Sequence, residues 1–486
     1  MQNSLPLNER LATMDRRLYA LFVGAVVGGL GALIGIAVSY GGPIMATGAL
    51  VGILGGVYIL TDVRAALYGT LAIMLIFPFG TLPFKIILTP TLLDMTLGSF
   101  VVVYLLQWMT GKRHTLTLTP IHLLVLVYVF YFILAFALGL RWGAPTPNII
   151  RQFSETLLAI GLVFVIVDIT KDSDTLRRLV LLILLLASLQ ALMAIVLWVL
   201  PDAFAERQLI RLARIGYPNG GVIRYVEDNR ALAERAIGTW VDPNVLGGAL
   251  AIFASIITPQ IFARKPVIRQ RWLTFGLWSV VVVAVLLTFS RAALVGFVVG
   301  GVVIALLRYR KLLAVMALGG VLLLFLPQTQ FYVERFISAF GGANADPATL
   351  MRYGEYTDSI RLIQQYPWFG VGFTGTPSRN LYTHVASMYL IMANQTGLIG
   401  LGLFLLLMGA VMLYGWQAWQ KGKNNDDLNA ILLGYYAGLV TALTTSLADL
   451  YFFRLDFQSP ITLFWLTVAL CLATARLCLE AQHSRS

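Results

Sequence analysis

Apolar runs of membrane length recur along the whole chain, broken by short polar turns and by two long polar segments. The pattern predicts spans over 18–40, 43–61, 64–84, 92–110, 120–140, 149–169 and 177–200, then 243–263, 272–289, 292–307 and 312–327, and finally 387–416, 428–449 and 459–479. Most reach the ~20 apolar residues needed to cross ~30 Å of hydrocarbon. The expected fold class is all-α, a polytopic transmembrane helical protein of about 12–14 spans with short helices in its large loop. This divides the chain into N-terminal helices (1–200), a first long loop (201–242), central helices (243–327), a large loop (328–386) and C-terminal helices (387–486). The first run, after Arg10, Arg16 and Arg17, reads as a retained signal-anchor.

The long segments carry local order of their own. After Pro201 the pattern predicts a helix over Ala203–Ile215, with Arg207, Arg211 and Arg214 on one stripe, Leu209 and Leu212 opposite, lying on lipid headgroups. Asp242-Pro243-Asn244 is a helix entry with proline in the first turn. A second loop helix is expected over Arg352–Gln365, ended by Pro367, with Tyr356, Ile360 and Ile363 as its apolar stripe. Arg352 and Arg361, nine residues apart, stand half a turn out of phase, so a straight helix turns only one of them towards a given cavity.

Composition agrees with lipid as solvent: 58% of residues are hydrophobic and 12% charged, with a mean hydropathy of +0.81. Cys471 and Cys478, one heptad apart in the last span, offer neither a disulfide framework nor a metal cluster. Charge sets an orientation. With the N-terminus inside, the inner turns carry Arg64, Lys112, Arg113, Lys171, Arg177, Arg178, Arg264, Lys265, Arg308, Lys311 and Lys421, while short outer turns carry few cations. Both termini then lie inside and both long loops outside. The cations expected outside are arginines, Lys85 apart. Arginine's planar fork binds phosphate in a bidentate way, so this face fits an anionic, phosphate-bearing ligand as well as plain solvation.

Several residues on that face are candidates for chemistry. Arg291, in Ser290-Arg291 at the tip of a tight helical hairpin, either snorkels or holds a phosphate group. Arg235 precedes a helix entry that does not itself require it. His384 is the one histidine expected outside and sits at the mouth of a span, either as a general base or as a tolerated loop residue. Trp368-Phe-Gly-Val-Gly-Phe places a tight glycine backbone beside the bilayer.

Taken together and in order, these residues resemble the O-antigen ligase and polysaccharide-polymerase family of membrane glycosyltransferases. The matching pieces are Gly238-Thr239…Pro243-Asn244…Gly247, then Leu287-Thr-Phe-Ser-Arg291-Ala, then Arg352…Ile363…Pro367-Trp-Phe-Gly-Val-Gly, then Tyr389-Leu390…Gly397-Leu-Ile-Gly400, over roughly 230–415. The resemblance implies a GT-C-like fold in the bacterial inner membrane. It also implies transfer of a glycan from a polyprenyl-pyrophosphate donor to an acceptor sugar hydroxyl, in O-antigen, capsule or exopolysaccharide assembly. On it, His384, Arg291 and Arg352 are catalytic, Arg235, Arg291, Arg352 and Arg361 hold pyrophosphate, and Tyr356, Trp368 and Arg379 contact the glycan or acceptor. Its partners are the lipid-linked donor, the acceptor glycan, membrane lipid and other polysaccharide-assembly proteins, with no nucleic acid. There is one departure. Ligases usually carry His-Asn eleven residues before the glycine of the Gly-Leu-Ile-Gly pattern, where this chain has Ala386-Ser387. That favours a polymerase or a divergent member.

Pyrophosphate on a lipid is already a good leaving group, so fixed arginines in a water-poor site suffice to stabilise the developing charge. The outer loops hold no Asp-x-Asp, and no metal or other cofactor is expected, although Asp449 and Glu355 are available as ligands. The same carboxylates share with His384 the candidacy for general base. A transporter or flippase of lipid-linked sugars is the alternative from another class, but internal repeats, usual in such proteins, are not evident. A non-catalytic scaffold is the third, and arginines scattered over loop surfaces would be its sign.

Overall fold

A computed structural model describes residues 55–56, 58, 60, 62–81, 90–325, 330, 333–334, 337, 347–375, 385–422 and 426–483. The expected spans 18–40 and 43–61, apart from isolated helical positions in the latter, lie outside these. Internal contacts divide the chain into two units, 1–69 and 70–486, and the helices that build the candidate site all belong to the second.

Fourteen α-helices occur among the described residues: α1 Val63–Ile76, α2 Leu92–Met109, α3 His122–Gly139, α4 Pro147–Ile169, α5 Ser173–Val199, α6 Asp202–Arg211, α7 Pro243–Phe262, α8 Arg271–Leu287, α9 Arg291–Leu307, α10 Lys311–Phe325, α11 Pro347–Gln365, α12 Met388–Lys421, α13 Asp426–Thr445 and α14 Gln458–His483. Eight are long and apolar enough to cross a membrane, and α1, α8, α9 and α10 are shorter apolar helices. The chain is an all-α, multi-pass membrane protein. Among the described residues β structure is confined to a hairpin of two two-residue strands, β1 Arg224–Tyr225 with β2 Glu234–Arg235, and an isolated bridge between Thr81 and Thr91.

Small residues decide the packing. α7 is buried nearly throughout and packs on α8, α9 and α13. Gly296 and Gly300 of α9 and Gly434 and Gly438 of α13 let these backbones approach, as apolar side chains alone gain little from meeting inside lipid. A buried hydrogen bond, Ser255 Oγ to Thr441 Oγ1 at 2.7 Å, fixes α7 against α13.

Some sequence expectations need correction. The loop helix after Pro201 is α6 continued by a 3₁₀ turn to Ile215, but its apolar side is spent within the chain: Leu209 packs with Val222 and Ile237. α11 starts at Pro347, a turn earlier than expected, and its buried side is Thr349, Ser359 and Leu362, whereas Ile360 is exposed. The helix expected to 449 ends at Thr445, leaving Asp449 in the turn before α14.

The segment Pro367-Trp-Phe-Gly-Val-Gly has a definite job. α12 breaks at Gly397 (φ +70°, ψ 179°). In a continuous helix the amides of Leu398 and Ile399 would bond the carbonyls of Asn394 and Gln395. Instead they donate to Pro367 O (2.7 Å) and Trp368 O (3.4 Å). The vacated carbonyls of Asn394 and Gln395 accept from Val371 N (2.8 Å) and Gly372 N (2.9 Å). All four groups are satisfied by exchange with the loop, as buried backbone requires. A Cβ at Gly370 would stand 2.5 Å from Asn394 O, so that position must be glycine. The loop is therefore a wedge inserted into the ladder of a spanning helix, and it ties the end of α11 to α12.

Candidate active site

Four pieces of chain meet where α7 and α9 begin. The hairpin presents Arg235, whose backbone neighbour Ala236 donates to Leu287 O at 2.8 Å. The tight turn Thr288–Ser290 carries Phe289 at φ +52° and launches α9 with Arg291 as its first residue. α7 opens beside them, capped by Asp242, whose Oδ1 accepts from Asn244 N (2.7 Å) and Val245 N (3.1 Å). α11 brings Arg352. Together these line a cavity of about 160 Å³ whose walls are Tyr225, Glu227, Asp228, Arg235, Asn244, Phe289, Ser290, Arg291, Ala292 and Arg352.

Three arginines thus converge on one space. Arg235 donates from Nε to Thr288 O (2.8 Å) and from a terminal nitrogen to Asn244 Oδ1 (2.6 Å), which fixes its fork. Arg291 donates to Thr349 Oγ1 on α11 (3.2 Å). Arg352 reaches Asp449 Oδ1 at 3.6 Å. Two helix N-termini, of α7 and α9, add partial positive charge to the same region. Among the wall residues, Glu227, Asp228 and Phe289 hold positive φ, a conformation uncommon without glycine and concentrated at functional sites.

A second, larger cavity of about 350 Å³ adjoins the first and shares Arg291, Ala292 and Arg352 with it. Its other walls, Val295, Thr349, Tyr353, Tyr356, Thr444, Leu447 and Ala448, are mostly apolar. Val295, Tyr353 and Leu447 are themselves exposed, so the space opens sideways between α9, α11 and the end of α13. The pair of cavities is amphipathic, cationic at one end and greasy at the other.

Two carboxylates flank Arg352. Asp449 is buried, and its Oδ2 has no hydrogen-bond partner among the described residues. Burial pushes its carboxyl up to about 7, with Asp242 adding to the rise while Arg352, Arg235 and Arg291 oppose it. Glu355 accepts from Ala386 N at 2.9 Å, and burial raises it too, against the pull of that hydrogen bond and of Arg352. Tyr356 donates to the carbonyl of the same Ala386 at 3.1 Å. The position where ligases usually carry histidine is thus held by backbone bonds beside Glu355.

Of the residues singled out in the sequence, Arg235, Arg291 and Arg352 share the first cavity and Tyr356 lines the second. Arg361 does not join them: its side chain is 63% exposed and pairs with Asp358 at 3.4 Å, as the half-turn offset from Arg352 requires. Trp368 contributes its carbonyl to the wedge and leaves its ring exposed, away from both cavities. His384 and Arg379 lie outside the described residues. The sequence did not point to the hairpin, Asn244 as the partner of Arg235, or Thr349. Only the proline-asparagine pair at the α7 entry hinted at Asn244.

No curated protein matches the chain. Residues 275–405, which contain Arg291, Arg352 and the broken helix α12, match the family model described as O-antigen ligase. The match covers a little over a quarter of the chain and agrees with the resemblance carried by the motifs of Arg291, Arg352 and Gly397–Gly400.

Proposed function

We propose that this protein is a membrane glycosyltransferase that moves a glycan from a polyprenyl-pyrophosphate donor to a sugar hydroxyl, at the outer face of the bacterial inner membrane, in cell-surface polysaccharide assembly. The observation that carries this reading is the three-arginine cavity opening into an apolar one. A pyrophosphate needs the first and the isoprenoid units attached to it need the second. The positive-inside pattern orients the site outward, with both termini cytoplasmic.

In the reaction the acceptor hydroxyl oxygen attacks the anomeric carbon of the donor sugar. The bond from that carbon to the pyrophosphate oxygen breaks, and the electron pair leaves with the polyprenyl pyrophosphate. Arg291 and Arg352 neutralise the charge growing on the departing oxygen, and Arg235, fixed by Thr288 and Asn244, holds the far phosphate. The hydroxyl proton passes to a base. Asp449 suits that role by its burial, its pairing with Arg352 and its raised carboxyl, which accepts a proton near neutrality. His384 is the other candidate. No metal is required by this scheme.

The test is reconstitution in liposomes with a synthetic undecaprenyl-pyrophosphate oligosaccharide, with and without EDTA. Longer lipid-linked glycan is expected, in both lanes, and its loss in Arg291→Ala. Transfer to a lipid-core acceptor instead of chain growth would mark a ligase. Movement of the lipid-linked sugar between leaflets without transfer would make the protein a transporter and overturn the reading.

A further inference from the structure

We infer that Asn394 is a positioning residue that sets the rotation of α11, and with it the place of Arg352 in the cavity; the catalytic part of this inference rests on the function proposed above. The wedge fixes only the C-terminal end of α11, by threading the chain after Gln365 into the break of α12. A helix held at one end remains able to turn about its axis, and a turn of half a residue step would swing a guanidinium two turns away out of register. The Ser359–Asn394 bond restrains that freedom from the side of α12, as the bonds of Glu355 and Tyr356 to Ala386 do from the loop side. Ser359 Oγ donates to Asn394 Oδ1 at 3.0 Å, with both residues buried. Ser359 follows Arg352 by seven residues, about 20° from the same face at 100° per residue, so what fixes one fixes the other.

Asn394 is suited to this because it works twice. Its carbonyl accepts Val371 N at 2.8 Å, inside the wedge, while its side chain reaches α11. One residue therefore couples the axial stop of α11 to its rotational stop. Such a bond between neutral buried groups adds little net stability to a bundle of this size. Its consequence lies in geometry, since about 1 Å of misplacement at a charge-stabilising group costs up to ~100-fold in rate.

The experiment uses the full chain in lipid nanodiscs with Ser359→Ala, Asn394→Ala and Asn394→Asp, the last retaining an oxygen that accepts from Ser359. Two readouts are taken. The first is transfer kinetics on the lipid-linked donor. The second is the distance distribution between spin labels at Ile360 on α11 and Leu406 on α12, both exposed. A fall in kcat of about tenfold or more is expected in both alanine variants, with acceptor KM little changed. The label distances should broaden, the double alanine variant should lose no more, and Asn394→Asp should recover. Where Asn394→Ala fails to fold, Ser359→Ala alone decides. Unchanged kinetics together with an unchanged distance distribution would overturn the inference. If wild-type protein transfers nothing, the proposed function has failed, and the spin-label distances still decide whether Asn394 sets α11.

Discussion

Arg352 and Asp449 face each other at 3.6 Å, one from a loop helix and the other from the turn after a spanning helix, 97 residues apart in sequence. Arg352 lines both cavities and Asp449 is buried behind it, so the pair brings a cation and a proton acceptor to the same place. Neither residue's neighbours in sequence announce it. The contact exists because the wedge into α12 holds α11 against the end of α13, where Met388 N donates to both Ser446 O (3.0 Å) and Asp449 O (2.9 Å).

A pH dependence follows from the pair. Asp449 titrates near 7, and only its ionised form accepts a proton. Transfer is therefore expected to be slow at acid pH, to rise through about 7 and to level off above it. Arg352 holds the carboxyl down, so Arg352→Gln should move the midpoint to higher pH as well as lower the plateau. Single-turnover rates across pH, wild type against Arg352→Gln, check both points. An acid limb that stays put in Asp449→Asn would hand the role of base to another group.

The arginines should rank by geometry. Arg291→Ala and Arg352→Ala are expected to lower transfer by ~10²–10³-fold, the loss found when one preorganised donor to a developing charge is removed. Arg235, with its fork committed to Thr288 and Asn244, should cost less when replaced. Arg361→Ala should leave the rate unchanged, since its side chain points away and is mostly exposed. Transfer measured on the four variants at matched folded fraction tests the order.

The apolar cavity predicts a separable effect on the lipid part of the donor. Leu447→Arg puts a charge where isoprenoid units would lie. The KM for a long-chain donor should rise by about tenfold, equivalent to ~1.4 kcal/mol, while a donor truncated to a short, soluble isoprenoid should be little affected. Equal losses on both donors would place the lipid elsewhere.

The sequence showed the helices well because membrane crossing leaves a strong local mark, namely a long run without charge. Twelve of the expected spans overlap helices within the described residues, most ends shifted by a few positions, while the span expected over 64–84 stops early, at Ile76. Helical phase also separated Arg352 from Arg361, because periodicity is local too. What escaped was whatever depends on two distant segments touching. Pro367–Gly372 looked like a tight loop, and only its exchange of hydrogen bonds with Asn394–Ile399 reveals a wedge. Leu209 and Leu212 looked like a face for headgroups, because the sequence could not show Val222 and Ile237 folding back to cover it. Asp449 was legible as a carboxylate but not as the partner of Arg352.

Arg151 illustrates the same limit and yields a prediction about stability. By position it is one more arginine, just inside the expected 149–169 span. In the fold its guanidinium bridges two helices, meeting Asp94 Oδ2 of α2 at 2.7 Å and Glu155 Oε2 of its own helix at 3.2 Å. Glu155 is buried, with its Oε1 unpaired among the described residues, and it hydrogen-bonds Asp94, so the two acids share a proton and the arginine compensates the one charge they carry. Removing one partner of such a cluster leaves uncompensated buried charge, which costs about 3–5 kcal/mol. Arg151→Met is therefore expected to lower the unfolding midpoint clearly, whereas Arg361→Ala, which breaks an exposed pair, should move it little. Adding Asp94→Asn to Arg151→Met should restore part of the loss, because the amide needs no counter-charge. Thermal unfolding of the four proteins in the same lipid gives the comparison, and a double variant no better than Arg151→Met would show that the arginine's packing, rather than its charge, holds α2 to α4.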